Sequence, residues 1–281
     1  MKSIVVDSTF FNIKDTLECG QLFRFTRQED GFFVYSNCKC AKCFSSGDKT
    51  IIECEDSDYN YFYNYFDLDR DYSLIVQGAK LFDIPVLTHA TALGKGIRIL
   101  NQDTIETLFS FIVSQNNNIP RIKKIIEGLC SNLGEKKTFL SHQYYTFPSV
   151  KKMASMPLEF YKSIGLGYRA EYVLDLAIKI NEGLDILAYS SLDTNALKQS
   201  LVKLHGVGPK VADCVLLFGF HRSDSFPVDT WIEKVYRENF LGKESDRKKI
   251  TAWFVDKFGD NAGYYQQYLF YYKRSLEKLD K

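Results

Sequence analysis

Residues 204–214 read Leu204-His205-Gly206-Val207-Gly208-Pro209-Lys210-Val211-Ala212-Asp213-Cys214, and Asp229 follows nineteen residues after Lys210. Two glycines flank a single valine, and glycine permits positive φ and the close approach of another backbone. Proline suits the first turn of a helix, where a missing N–H is not needed. The stretch therefore predicts a tight hairpin that leads into a helix, with Lys210 on the first turn of that helix.

The start of this predicted helix is a candidate anion site. Its first N–H groups have no acceptor within the helix, and the helix dipole is positive at the same end. Such a turn can hold one DNA phosphate without reading the base sequence. We therefore expect Gly206, Gly208 and Val211 to contact the DNA backbone.

Lys210 and Asp229 are the candidate catalytic residues. A lysine amine can attack an electrophilic carbon. Asp229 precedes Thr230-Trp231-Ile232-Glu233, a capping-box pattern that places its carboxylate at the start of a helix and favours the ionised form. That carboxylate can stabilise a developing cation or take a proton from the amine. A solvated or phosphate-binding lysine and a plain helix cap are the alternatives.

Composition and charge set few limits on the partner. The 281 residues include 36 Lys and Arg against 35 Asp and Glu, a net charge of +1. Residues 53–71 hold seven acidic side chains and one arginine, so the rest of the chain is net positive and can form a local basic face. We find no secretory signal and no apolar run long enough to span a membrane. The seven cysteines are an odd number and predict free thiols in a cytoplasmic protein.

Hydrophobic patterning changes along the chain. Residues 1–55 are rich in aromatic and β-branched residues and predict an antiparallel sheet, with strands at 21–25, 31–35 and 50–54. Helical periodicity begins at about residue 59. One helix is expected to end at Asn116-Asn117-Asn118, and the next to run from Pro120 to about Leu129. We divide the chain into a β-rich domain with covering helices, residues 1–95, and a helical region, residues 96–281.

Several motifs together resemble the helix-hairpin-helix DNA glycosylase superfamily, and within it the lysine-bearing 8-oxoguanine DNA glycosylases. The motifs are the glycine hairpin with Lys210, Pro227-Val228-Asp229, Cys19-Gly20-Gln21-Leu22-Phe23-Arg24-Phe25, Leu108-Phe109-Ser110-Phe111-Ile112, Asn116-Asn117-Asn118-Ile119, Gly165-Leu166-Gly167-Tyr168-Arg169-Ala170 and Ala262-Gly263-Tyr264-Tyr265-Gln266. The resemblance implies an α+β fold. In it, a small N-terminal antiparallel β-domain, like that of the TATA-binding protein, packs on a larger all-α helix-hairpin-helix core.

The resemblance also implies a reaction and a partner. The damaged nucleotide is flipped out of duplex DNA, and Lys210 attacks C1′ of its sugar to displace 8-oxoguanine. A Schiff base forms, and β-elimination then cuts the strand. The implied partner is double-stranded DNA with cytosine opposite the lesion, bound by a monomer with no metal or redox cofactor.

The family pattern assigns further residues to two sites. The backbone carbonyl of Gly20 is expected to accept the N7–H of 8-oxoguanine, which normal guanine lacks, and a site built for that one bond discriminates strongly. The other residues expected around the base are Cys214, Phe218, Gln266 and Phe270. The residues expected to fill the vacated stack and to contact the opposite base are Asn116, Arg121, Tyr168 and Arg169.

Three alternatives stay open at this point. The same fold can serve a glycosylase for another damaged purine, or a DNA-binding module without catalysis. The cysteines Cys38, Cys40 and Cys43, with Cys54 beyond them, could hold zinc, although their spacing is not a paired CxxC pattern. The strictness of the opposite-base preference is also left open by the residues around Asn116.

Overall fold

The computed structural model describes residues 1–279. The strands of its main sheet are β1 (Lys2–Asp7), β2 (Phe25–Gln28), β3 (Gly31–Ser36), β4 (Lys39–Ser46) and β5 (Lys49–Cys54). A separate hairpin consists of β6 (Lys136–Phe139) and β7 (His142–Tyr145). The α-helices are α1 (Ile13–Glu18), α2 (Tyr59–Tyr65), α3 (Tyr72–Lys80), α4 (Pro85–Gly94), α5 (Thr104–Ser114), α6 (Ile119–Leu133), α7 (Val150–Ala154), α8 (Leu158–Ser163), α9 (Arg169–Asn181), α10 (Thr194–Leu201), α11 (Pro209–Phe218), α12 (Thr230–Asn239), α13 (Arg247–Phe258) and α14 (Ala262–Leu279).

The main sheet is fully antiparallel, with strand order β1-β5-β4-β3-β2. Because side chains alternate across a strand, Val34, Ala41 and Ile52 all face the same side. That face packs against Phe62 and Tyr65 of α2 in a buried cluster. The strands predicted at 31–35 and 50–54 are present, and the predicted α+β fold with a small antiparallel β-domain on a larger helical one is confirmed.

The segment predicted as a strand at 21–25 is largely not one, because β2 begins only at Phe25. The buried side chain of Gln21 donates to the carbonyl of Arg98 at 2.7 Å and accepts the N–H of Leu100 at 2.8 Å. Arg24 forms a buried ion pair with Glu106 of α5 at 3.0 Å. The side chain of Gln21 therefore bonds to the loop before α5 and that of Arg24 to α5, and within 21–24 a ladder-like bond to β3 is made at Arg24, whose carbonyl accepts the N–H of Tyr35 at 3.2 Å.

The helical core surrounds α5, whose residues 106–113 are all buried. Helix α11 packs against one side of α5, while α6 and α9 pack against others. Helices α3 and α4 join this same core, with α4 packed along α14, instead of covering the sheet. This core includes residues of α11, whose first turn carries Lys210, and of the long helix α14. The domain boundary at residues 95 and 96 stays a prediction.

The mostly helical core also contains two short strands that the sequence analysis does not predict. The β6–β7 hairpin docks on the outer face of the main sheet, where Phe33 stacks on His142 at 4.1 Å and Tyr35 on Tyr144 at 5.4 Å. These strands have four residues each and are mostly polar. A signal so short does not stand out from the surrounding helical periodicity.

The strand register places the cysteines of the zinc hypothesis on different faces of the sheet, so they cannot bind one ion together. Cys40 lies in the aromatic cluster with Tyr35 and Tyr144, whereas Cys43 lies in the cluster on the opposite face of the sheet. Side chains alternate between the two faces of a strand, so two residues three positions apart face opposite sides. Among residues 1–276, whose side chains the structure describes, no three His, Cys, Asp or Glu side chains are grouped to hold an ion. In the same range no helix is both long and apolar enough to cross a membrane.

Candidate functional site

The glycine hairpin has the predicted shape, but the backbone conformation requires glycine at only one of its two glycine positions. Gly206 has φ of +81°, and an added Cβ would lie 2.3 Å from the ring of Tyr172. Gly208 caps α11 with φ of −83° and has open space where a Cβ would be. Val211 is buried on the first turn of α11. The N–H groups of Lys210 and Val211 have no acceptor within the helix, because they lie in its first turn.

Lys210 is half-buried beside an aromatic ring and a thiol. Its Nζ lies 5.5 Å from the centre of the Phe111 ring. One turn further along α11, burial raises the pKa of the Cys214 thiol to about 11, and the charge and hydrogen bond of Lys210 oppose that rise. Cys214 is therefore a neutral, weakly polar surface beside the amine at neutral pH.

Asp229 caps α12 and faces Lys210. Its Oδ1 accepts the N–H groups of Trp231 at 3.0 Å and Ile232 at 2.9 Å. Burial raises the pKa of Asp229, and the two capping N–H groups and the charge of Lys210 oppose it. Capping alone predicts an ionised carboxylate with a lowered pKa. Burial acts in the opposite direction and has the largest effect on the pKa of Asp229.

A small cavity lies between α11, α14 and the corner that follows α1. Its walls include both candidate catalytic residues and all five residues expected around the base. The lining residues are Gly20, Phe111, Lys210, Cys214, Phe218, Pro227, Asp229, Gln266, Gln267 and Phe270. Four segments far apart in the chain therefore meet at one cavity.

Gly20 lies at a corner where only glycine fits. Its φ is +102°, and an added Cβ would lie 2.9 Å from Nη1 of Arg274 and 3.2 Å from the Phe270 ring. The preceding carbonyl, of Cys19, accepts a hydrogen bond from Nε2 of Gln267 at 3.1 Å. The corner is thus held directly by α14.

Gln266 presents an unused acceptor. Its Nε2 donates to the carbonyl of Pro227 at 3.1 Å, while its buried Oε1 has no hydrogen-bond partner among the described residues. Buried polar atoms are nearly always paired, so an unpaired one that lines a cavity suits a ligand donor. Across the cavity, Phe218 stacks on Phe111 with ring centres 5.5 Å apart.

The residues expected at the vacated stack and the opposite base lie together around the turn between α5 and α6. Asn116 is exposed at the tip of this turn with φ of +44°. Arg121 is exposed on α6, and its Nη2 donates to the carbonyl of Gly165 at 3.3 Å. Tyr168 is also exposed, beside the same turn.

Arg169 differs from the other three because it is buried. Its Nε donates to the carbonyl of Gln115 at 2.7 Å, and its Nη2 donates to that of Asn116 at 2.8 Å. Most of its donors are therefore bound to the turn rather than presented to solvent. Its role toward the opposite base stays a prediction, while its hold on the turn is a feature of the structure.

Sequence reasoning missed four residues at these two sites. Phe111 and Gln267 occupy helical positions that are indistinguishable from core positions, and Pro227 was read only as part of the Asp229 motif. Gln115 was not singled out, yet its Nε2 donates to the carbonyl of Gly206 at 2.8 Å and joins the turn to the glycine hairpin. Only a contact between segments 91 positions apart reveals that link.

Comparison with known families gives two adjoining matches. Residues 3–108 match the N-terminal domain of 8-oxoguanine DNA glycosylase. Residues 109–258 match the HhH-GPD superfamily of base excision DNA repair proteins. Together the two matches include every residue of the glycine hairpin and all of the cavity lining except the residues on α14.

Individual relatives agree with these matches. A probable N-glycosylase/DNA lyase of Methanothermobacter thermautotrophicus is 30% identical over 215 residues, covering 69% of each chain. The N-glycosylase/DNA lyase of Saccharomyces cerevisiae is 37% identical over 159 residues, and the match spans 52% of this chain but only 42% of the yeast protein. The Clostridium acetobutylicum 8-oxoguanine glycosylase/lyase, solved with double-stranded DNA containing cytosine opposite 8-oxoguanine, superposes with a TM-score of 0.91 at 37% identity, covering 98% of this chain and 96% of that one.

Proposed function

Because the chain belongs to the HhH-GPD superfamily of base excision DNA repair proteins, we propose that it is a bifunctional 8-oxoguanine DNA glycosylase and lyase. The observation that carries the proposal is the single cavity shared by Lys210, Asp229 and the Gly20 corner. A nucleophile, a carboxylate and a backbone acceptor are the three groups this reaction needs. The substrate is duplex DNA with 8-oxoguanine opposite cytosine, as in the Clostridium complex.

Lys210 is the nucleophile of the reaction. Its Nζ forms a bond to C1′ of the flipped nucleotide as the bond from C1′ to the base breaks, and the base leaves with that electron pair and gains a proton. The attached nitrogen loses one proton, its lone pair forms the C1′=N bond as the C1′–O4′ bond breaks, and O4′ takes a proton, which leaves a protonated Schiff base. Removal of a C2′ proton then expels the 3′ phosphate oxygen and cuts the strand.

Asp229 acts on the charge that develops during the attack. A carboxylate in a desolvated site stabilises a cationic sugar far more than it would in water. The same carboxylate can accept a proton from the attacking amine. Its two capping hydrogen bonds hold Oδ1 in place, which leaves Oδ2 for the substrate.

The damaged base is selected by cavity residues other than Lys210 and Asp229. The carbonyl of Gly20 accepts the N7–H that distinguishes 8-oxoguanine from guanine. The unpaired Oε1 of Gln266 accepts an N–H from the opposite edge of the base. Phe270 and Cys214 lie on the two flat faces of the base, where an aromatic ring and a neutral thiol both make favourable contact.

DNA on the other side of the lesion is held by the α5–α6 turn and the hairpin. Asn116 fills the hole left by the flipped nucleotide, and Arg121 donates to the opposite cytosine. Tyr168 wedges beside that cytosine, and Arg169 contacts it or positions Asn116. The first turn of α11, with Gly206, Gly208 and Val211, binds one phosphate through backbone N–H groups.

The assembly and location follow the sequence predictions. The residues proposed for the reaction all lie within one chain, so the proposed mechanism needs no second copy and we propose a monomer. The proposed reaction needs no metal or redox cofactor, and free thiols fit a reducing cytoplasm, which we propose to be that of a bacterial or archaeal cell, as for the archaeal relative. Sedimentation of the protein with and without duplex DNA checks the monomer.

Borohydride trapping on a duplex with 8-oxoguanine opposite cytosine tests the proposal. Wild type should yield a covalent adduct, Lys210→Gln none, and Asp229→Asn about 10²-fold less per unit time, the usual size of a lost acid–base group. A matched undamaged duplex is the control. Tight lesion binding by wild type without any adduct would instead favour a monofunctional glycosylase or a lesion-binding protein.

A further inference from the structure

Helix α14 carries a stripe of polar side chains that reaches away from the cavity toward α1. Gln267, Tyr271 and Arg274 are spaced four and three residues apart and so share one face of the helix. Gln267 donates to the carbonyl of Cys19 at 3.1 Å, and the hydroxyl of Tyr271 donates to Asp15 at 2.8 Å. The stripe therefore binds the last turn of α1, just before Gly20.

Arg274 completes this contact at the end of α1. Its Nη2 donates to the carbonyl of Glu18, the last residue of that helix. The last carbonyls of a helix lack partners within it, and a cation there also interacts favourably with the helix dipole. Arg274 thus acts as a cap for α1 that comes from the opposite end of the chain.

The same guanidinium touches two residues of the base cavity from behind. Its central carbon lies 5.3 Å from the centre of the Phe270 ring, a cation–π contact. Its Nη1 lies 2.9 Å from where a Cβ on Gly20 would be. Arg274 itself does not line the cavity, so it lies behind Gly20 and Phe270 and supports both.

One atom of Arg274 remains unsatisfied. Its Nη1 is buried without a hydrogen-bond partner in the part of the chain that the structure describes. An unpaired buried donor is destabilising, and a shorter apolar side chain would avoid it. Beyond the cap that Nη2 makes, the position of the guanidinium is explained by its contacts with Gly20 and Phe270 and not by a second hydrogen bond.

We propose that Arg274 is a positioning residue for recognition of the damaged base, and this rests on the proposed glycosylase function. By capping α1 and stacking on Phe270, it sets the separation between the Gly20 carbonyl and the ring that the base must fit. Lys210 and Asp229 stand on other helices, and the contacts of Arg274 with Glu18, Gly20 and Phe270 do not include them. Base excision therefore needs Arg274, whereas cleavage at a site already lacking its base does not.

Two reactions of the purified full-length protein separate these roles. The first is single-turnover release of 8-oxoguanine from a duplex with cytosine opposite it. The second is strand cleavage of the same duplex with a preformed abasic site in place of the lesion. Arg274→Met keeps an unbranched side chain and removes the guanidinium, and Arg237→Met is the matched control, since Arg237 is exposed on α12 and paired with Glu233.

Arg274→Met should lower the excision rate about 10-fold or more, because small misplacements of a bound group are expensive in rate. Its abasic cleavage should stay within about twofold of wild type. Arg274→Lys keeps the charge but not the planar fork, so it should lose excision selectively as well, by a smaller factor. This second variant carries the test if Arg274→Met does not fold.

Equal losses in both rates would overturn the inference, because loss of a purely structural residue lowers excision and abasic cleavage alike. No loss in either rate would overturn it as well, because Arg274 would then have no role in the reaction. A wild type that cleaves the abasic duplex but releases no 8-oxoguanine would refute the proposed function itself, and the inference with it. The ratio of the two rates therefore distinguishes the two failures.

Discussion

At the scale of single residues, the site depends on a few positions that only glycine can occupy without strain. Gly206 and Gly20 both have positive φ, and in both an added Cβ would collide with a neighbour. Gly208, in the same motif as Gly206, has neither constraint. A glycine in a motif is thus not always required by the backbone conformation, and at Gly208 a residue with a Cβ would fit.

Gly20→Ala tests the more consequential of these positions. Alanine at φ of +102° is strained, and its Cβ would press on Phe270 and Arg274. We expect a loss of about 1–3 kcal/mol in unfolding free energy, the usual range for such strain. Excision of 8-oxoguanine should fall about 10²-fold as the corner shifts.

Urea unfolding and single-turnover excision measure the two effects. Gly208→Ala is the control for stability, since that position has room for a Cβ. Excision by Gly20→Ala at the wild-type rate would show that the corner does not select the base.

At the scale of elements, the start of α12 shows one residue with two separable tasks. Asp229 caps the helix through Oδ1 and also lines the cavity. A cap needs only an acceptor oxygen, which asparagine also supplies, whereas stabilising a cation needs the negative charge. Its raised pKa, caused mainly by burial, shows that keeping this charge costs free energy.

Two substitutions at Asp229 separate the tasks. Asp229→Asn should keep the cap and leave the unfolding free energy within about 0.5 kcal/mol of wild type, or raise it, because a desolvated charge is removed. Asp229→Ala should lose about 1 kcal/mol with the cap. Both should trap the covalent intermediate about 10²-fold more slowly than wild type.

Chemical denaturation and borohydride trapping on one protein preparation give both readings. If the asparagine variant were as unstable as the alanine variant, the charge itself would be holding α12. If it trapped as well as wild type, Asp229 would be a cap alone.

At the scale of the whole molecule, two buried cores meet through a polar contact. One core lies under the sheet and the other around α5. Arg24 lies just before β2 and pairs with Glu106 of α5, and its Nη2 also donates to the carbonyl of Tyr145 in β7. The same carboxylate accepts the N–H of Asn37 at 2.7 Å. Four segments, including those that supply the pair itself, therefore meet at one buried ion pair.

Removing one partner of this pair should destabilise the whole molecule. Arg24→Met leaves the carboxylate of Glu106 buried without its cation, and such losses are about 3–5 kcal/mol. The double variant Arg24→Met/Glu106→Gln should recover part of that loss, because the uncompensated charge is gone. Urea unfolding of the wild type, both single variants and the double variant measures the coupling.

Additive effects of the two substitutions would contradict this view of the pair. The exposed pair between Lys162 and Glu159 on α8 gives a matched comparison. Its disruption should change stability by no more than about 1 kcal/mol.

Local patterns in the sequence were enough to predict the α+β class, the glycine hairpin before α11 and the helix start at Asp229. Each depends on neighbours a few positions away, through backbone conformation, capping and side-chain alternation. The β6–β7 hairpin was missed because its strands are too short and polar to show a period.

The cavity depends on different physics. Gln267 binds Cys19 across 248 positions, Arg274 reaches Glu18 across 256, and Gln115 reaches Gly206 across 91. Nothing in a local pattern distinguishes these side chains from ordinary helix-surface or core positions. They acquire their roles only when hydrophobic burial brings distant segments together and leaves buried carbonyls that must find donors.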